Sequence, residues 1–239
     1  MTNQIYSEAK TVIDEGLRSY MLKVYNFMAG GLLATGLVAW IVATTPSLLQ
    51  IFFNITPQGA SLSGFGWLAL IAPLIMVFAF GWVVRSGTAK QVQLLFWTYA
   101  GVMGISLTPI FLLYTGSSIT RVFLITAGAF GALSLYGYTT KRDLTGMGSF
   151  LYMGLFGLII ATIVNIFLKS TGLDWALSFI GVGIFSGLTA YDSQRIRMIY
   201  NSVDDNETIT KKALSGALSL YLDFINLFLY LLRFMGDRR

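Results

Sequence analysis

The chain has 239 residues, of which 55% are hydrophobic and 11% charged, against roughly 25% charged in soluble domains. Its mean hydropathy is +0.70, so water is not its main solvent. The absence of cysteine and histidine excludes thiolate and imidazole metal sites, cysteine nucleophiles, Ser-His-Asp triads and histidine-ligated haem.

A helix needs about 20 mostly apolar residues to cross the hydrocarbon, and the sequence offers seven such blocks. A short polar segment over residues 1–23, carrying Glu8, Asp14 and Glu15, leads into the first, Val24 to Thr44. That block is too long for a signal-peptide core and is expected to stay as a membrane helix. An uncharged connection, Thr45 to Phe65, precedes the second block, Gly66 to Val84, which closes on Arg85. The third is Leu94 to Tyr114, and Pro73 and Pro109 are candidate kinks in these two. The fourth, Ile119 to Thr139, and the sixth, Trp175 to Tyr191, carry glycines that permit close helix contact. Between them lies Gly148 to Leu168, and after the connection Asp192 to Lys212 comes the seventh, Ala213 to Phe234. No connection is long enough for a separate soluble domain. The reading is an all-α integral membrane fold, one transmembrane domain over 1–239.

Lys and Arg are preferentially retained on the cytoplasmic side. With the N-terminus inside, eleven of the sixteen basic residues fall on inner segments, Arg85 and Lys141 among them. The predicted topology is therefore N-terminus cytoplasmic and C-terminus outside, provided the seventh block crosses rather than re-enters. Orientation accounts for the net charge of +5, and no nucleic-acid partner is expected.

Ionisable groups inside a spanning helix are costly and mark functional candidates. Asp223 lies well inside the seventh block. At about 100° per residue, Ser215, Gly216, Ser219, Asp223, Asn226, Tyr230 and Arg233 share one stripe among Leu, Phe and Ile. Such a helix should pack centrally, its seam facing other helices or a water-accessible path; the alternative is a seam that only fixes packing. Asp192, at the inner end of the sixth block, returns to the same membrane face as Asp223. It either meets Asp223 or pairs with Arg195 one turn along, as a solvated contact. Two carboxyls meeting in a poorly hydrated site cannot easily both ionise and tend to share a proton. Arg85, at the inner end of the second block, either offsets that charge or is an ordinary positive-inside flank.

The segment Ala217-Leu-Ser-Leu-Tyr-Leu-Asp-Phe-Ile-Asn-Leu-Phe228, followed by Leu231-Leu-Arg233-Phe, closely resembles the terminal signature of the Bax inhibitor-1 (transmembrane BAX inhibitor motif) family. Ala190-Tyr-Asp192-Ser-Gln, the Gly128-to-Gly137 helix with Lys141-Arg-Asp143-Leu, and Ser106-Leu-Thr-Pro109 extend the resemblance over the last two thirds of the chain. It implies a bacterial-type member of the inner (plasma) membrane, with the C-terminal helix central among seven. It further implies a pH-sensitive calcium leak channel with Asp192 and Asp223 as an aspartyl sensor that binds permeant calcium transiently, Arg85 as basic partner, and no cofactor. Ser219, Asn226, Tyr230 and Arg233 line the polar seam. Arg233 matches a basic residue that some members pair with a second-helix acid, but the second block here has no Asp or Glu.

Two other classes compete. An intramembrane aspartyl protease also uses two aspartates on consecutive helices, but resembles Gly-x-Gly-Asp where this chain has Leu220-Tyr-Leu-Asp223, so no enzyme is expected. A non-transporting regulator would act by binding other membrane proteins in stress or cell death.

Overall fold

The computed structural model describes residues 2–56 and 59–239, with side chains for 15–54 and 61–239. Glu8 and Asp14 of the polar N-terminal segment lie outside the described side chains. Ten elements follow in chain order: α1 (Thr2–Thr44), α2 (Pro46–Phe52), β1 (Phe53–Thr56), β2 (Gly59–Leu62), α3 (Gly64–Ser86), α4 (Ala89–Leu113), α5 (Gly116–Thr139), α6 (Thr145–Leu168), α7 (Thr171–Met198) and α8 (Asn206–Met235). Seven of them are long and apolar enough to cross a membrane, and they coincide with the seven apolar blocks.

The helices overrun the blocks where polar residues still propagate the helix. In α1 the polar segment continues upstream of the candidate span, which begins at Glu15. Most of the connection Asp192 to Lys212 is also helical, leaving only residues 199–205 between α7 and α8. Asp205 begins α8 as its cap: its Oδ1 accepts from the Thr208 backbone N–H at 3.2 Å. Its carboxyl is held below the ordinary value by hydrogen bonding from Thr208. The connection after α1 holds structure that hydropathy did not signal, a short helix and an antiparallel hairpin pairing Phe53 with Leu62 and Asn54 with Ser61.

Contacts group the chain into two compact units, residues 1–113 with 200–218 and 239, and residues 114–199 with 219–238. In the first, α1 packs on α4 and α3 on α4. Tyr20, Val24, Met28, Thr35, Ala39 and Val42 are buried at helical spacing along α1. Thr35 donates to the Ala100 carbonyl at 2.8 Å. Pro73 lies inside α3 and removes the N–H that would have bonded the Ala69 carbonyl. Ser106 of α4 donates to that carbonyl. In lipid a freed backbone group must find such an internal partner, so the proline is tolerated because of the serine opposite it.

In the second unit α7 packs against both α5 and α6. The stripe Ser118, Val122, Thr126, Phe130, Ser134 and Gly137 is buried along α5. Gly137 lies directly against the Ala190 backbone of α7. On α6 the large apolar side chains Phe150, Met153, Phe156, Ile160 and Phe167 are instead more than 60% exposed. An exposed apolar surface of this extent would be untenable in water and fits contact with lipid chains. The protein is an integral membrane protein. In α8, 67% of the most apolar stretch is buried, against 6% in α6.

Candidate functional site

The last two turns of α7 form a hub from which consecutive side chains reach different neighbours. Asp192 is 3% exposed and accepts at Oδ1 from the Tyr152 hydroxyl of α6 at 3.4 Å. Ser193, fully buried, shares a 2.7 Å hydrogen bond with Ser134 of α5. Gln194 reaches the α5–α6 connection with both ends of its amide, accepting from the Leu144 N–H at 2.9 Å and donating to the Arg142 carbonyl at 2.7 Å. Arg197 donates to the Tyr138 carbonyl at the end of α5. A backbone turn that would otherwise leave buried polar groups unpaired is thus satisfied from α7.

Arg195 completes the hub. Its Nη2 lies 3.4 Å from Asp192 Oδ1 and 3.2 Å from Ser219 Oγ on α8, and its Nη1 donates to Tyr152 at 3.4 Å. The pairing with Asp192 one turn away does form, yet it is solvated only on one side: the Asp192 side chain is 5% exposed and that of Arg195 41%. Asp223 follows Ser219 by one turn on the same face of α8. The charges of Asp192 and Arg195 both act on Asp223. Asp223 is itself 5% exposed, and its Oδ2 is buried without a hydrogen-bond partner among the described residues. Asp192 and Asp223 are thus both buried, and the i,i+3 contact of Asp192 with Arg195 forms with its acid enclosed rather than solvated.

The rest of the seam is less uniform. Asn226 donates back to the Leu222 carbonyl of its own helix at 2.8 Å. Tyr230 stacks on Phe185, ring centroids 5.7 Å apart, over the gap left by Gly181. Arg233 lies over the Tyr230 ring and 3.4 Å from Asp174 at the start of α7. The basic residue for which the second block lacks an acid thus has one from α7. Arg85 ends α3 in the first unit and is exposed, and no ion pair to it occurs among the described residues.

Tyr152 and Asp174 escaped sequence reasoning, whereas Ser134 stands on the fourth-block face expected to make close helix contact and does so at Ser193. Tyrosine is unremarkable in an apolar block, and Asp174 begins its helix where an acid is favoured anyway. Gln194 stood inside the quoted motif, and its role was hidden only because the loop it satisfies is fifty residues away. Calcium takes 6–8 oxygen ligands, and no group of three or more acidic side chains occurs among the described residues. Around Arg195 stand the Asp192 carboxyl, the Tyr152 hydroxyl and the Ser219 hydroxyl, with Asp223 one turn beyond Ser219.

The family model described as inhibitor of apoptosis-promoting Bax1 matches residues 17–239. The chain belongs to the Bax inhibitor-1 family. It is 48% identical to the uncharacterized protein RP147 of Rickettsia prowazekii, over 98% of this chain and 95% of that one. It is 44% identical to the inner membrane protein YbhL of Escherichia coli over 94% of each, and 40% identical to YrjE of Lactococcus lactis over 93% and 92%. The Bax inhibitor-1 match takes in every residue of the cluster, on α6, α7 and α8 alike.

Proposed function

We propose that this Bax inhibitor-1 member is a pH-sensitive calcium leak channel gated by Asp192 and Asp223. The observation that carries the reading is the burial of two carboxyls, Asp192 and Asp223, within consecutive membrane-spanning helices. Such groups are expensive in a membrane protein and are retained where ions or protons pass. When one proton is shared, the pair forms a strong charge-assisted hydrogen bond; with both carboxyls ionised it repels and loosens α7 from α8. Calcium is the permeant ion, there is no resident cofactor, and the chemistry is passage rather than catalysis. Ser219, Asn226, Tyr230 and Arg233 extend the polar track, Arg85 bears on gating, and the last helix is the axis of the fold. The inner-membrane relative and the charge asymmetry support a bacterial plasma-membrane location with the N-terminus cytoplasmic.

Calcium flux into liposomes between pH 6 and 8 tests this, using the parent, Asp192→Asn, Asp223→Asn and the double variant. Each single variant flattens the pH response, and the double adds little, because both remove the same latch. A full pH response in the double variant rules the pair out as sensor. No flux from any of the four leaves a non-transporting regulator that acts through other membrane proteins.

A further inference from the structure

The guanidinium of Arg195 is the cation held against the Asp192 carboxylate. It touches Asp192 Oδ1, Ser219 Oγ and Tyr152 Oη together, one group from each of α7, α8 and α6. The carboxylate is enclosed while its cation is 41% exposed, so the cation is the part of the pair that solution reaches. All three contacts span 3.2–3.4 Å, the long edge of hydrogen-bonding range, and Asp192 is approached by one nitrogen rather than by a bidentate fork. Charge rather than geometry therefore holds the guanidinium, and a small ion of higher charge density can displace it. In this same position Arg195 lies 5.8 Å over the ring of Tyr191, a cation–π contact that the guanidinium keeps on its solvent side. The Asp223 oxygen without a partner supplies a further acceptor that Arg195 leaves unused.

We infer that Arg195 is a tethered cation that competes with the permeant ion for the Asp192–Asp223 cluster. The inference rests on the reading of that cluster as a cation path. Arg195 acts through the carboxyls as a positioning residue: it neutralises Asp192 at rest and must yield when an ion enters. A merely structural ion pair would instead stabilise the helices without any bearing on ion affinity.

Terbium(III), which favours oxygen ligands as calcium does and is excited by nearby tyrosines, is the probe. It is titrated into the full chain in detergent, with Tyr152 and Tyr191 as sensitisers. Arg195→Gln is expected to lower the half-saturating terbium concentration about tenfold. That is the low end of what an opposing charge within 4–6 Å is worth, since the guanidinium is part-exposed. Arg195→Lys retains the charge and stays near the parent, and adding Asp192→Asn to Arg195→Gln removes the tightening. In the parent, terbium should accelerate modification of Arg195 by phenylglyoxal, read by peptide mass, because the ion frees the guanidinium. This second measurement serves even where the glutamine variant does not fold. Unchanged terbium affinity in a folded Arg195→Gln protein overturns the inference, as does slower or unchanged modification of Arg195. Liposome flux separates the two readings. Tightening without flux in the parent removes the leak channel and leaves the competition standing; flux without tightening removes the role of Arg195 alone.

Discussion

Gly137→Ala tests whether close contact between α5 and α7 positions the aspartyl cluster. A Cβ at Gly137 would lie 2.8 Å from the Ala190 carbonyl carbon and 3.0 Å from its Cα, and nearer still to the carbonyl oxygen. All three are backbone atoms, so no rotamer change relieves the clash and the helices must part by about 1 Å to restore ordinary carbon contact. Overpacking costs about 1–3 kcal/mol, and an unyielding neighbour places this case near 3 kcal/mol. At roughly 2–4 °C per kcal/mol for a chain of this size, the Tm in detergent should fall by about 6–12 °C. The same separation stretches the Ser134–Ser193 bond, now 2.7 Å, and shifts Asp192 one residue away. Gly183→Ala is the control: nothing lies within 4 Å of a Cβ there, and alanine is the better helix former, so its Tm should stay level or rise. Thermal unfolding of the three proteins side by side is the assay. A Gly137→Ala protein melting within about 2 °C of the parent would refute close α5–α7 packing as the device that positions the site.

Two further outcomes are expected. Arg85→Gln and Arg85→Lys should each alter the pH profile of calcium leak in liposomes, since lysine keeps the charge but lacks the planar fork; two unchanged profiles would reduce Arg85 to a topology flank. Asp205→Ala should lower the melting temperature at neutral pH by removing the cap of α8. The folded carboxyl titrates below its ordinary 3.8 because Thr208 hydrogen-bonds it. Its contribution is therefore complete above that value and is lost as pH falls through the depressed one. The gap between the two proteins should close in acid, and a gap independent of pH would contradict the cap.

Much of the protein was determined by its sequence alone, because the bilayer imposes a length rule on apolar runs. Seven blocks of spanning length became seven helices, and Asp223 stood out because a carboxylate is costly within such a block. The shared face of Ser219 and Asp223 also followed from helical periodicity, and the signature around them named the family before any contact was known. Periodicity places residues on a face of their own helix; it does not say how that helix is rotated against its neighbours or at what height they meet. Only the tertiary structure decided that Asp192 meets Tyr152 from forty residues upstream, that Gln194 satisfies the Arg142–Leu144 turn, and that Arg233 finds its acid at Asp174. The same holds for Ser106, whose place in a recognised motif acquires a physical reason once its hydroxyl is seen against the carbonyl that Pro73 leaves unbonded. The strand pairing of Phe53–Thr56 with Gly59–Leu62 was hidden for a related reason, since two strands of four residues carry no periodic signal long enough to separate strand from loop.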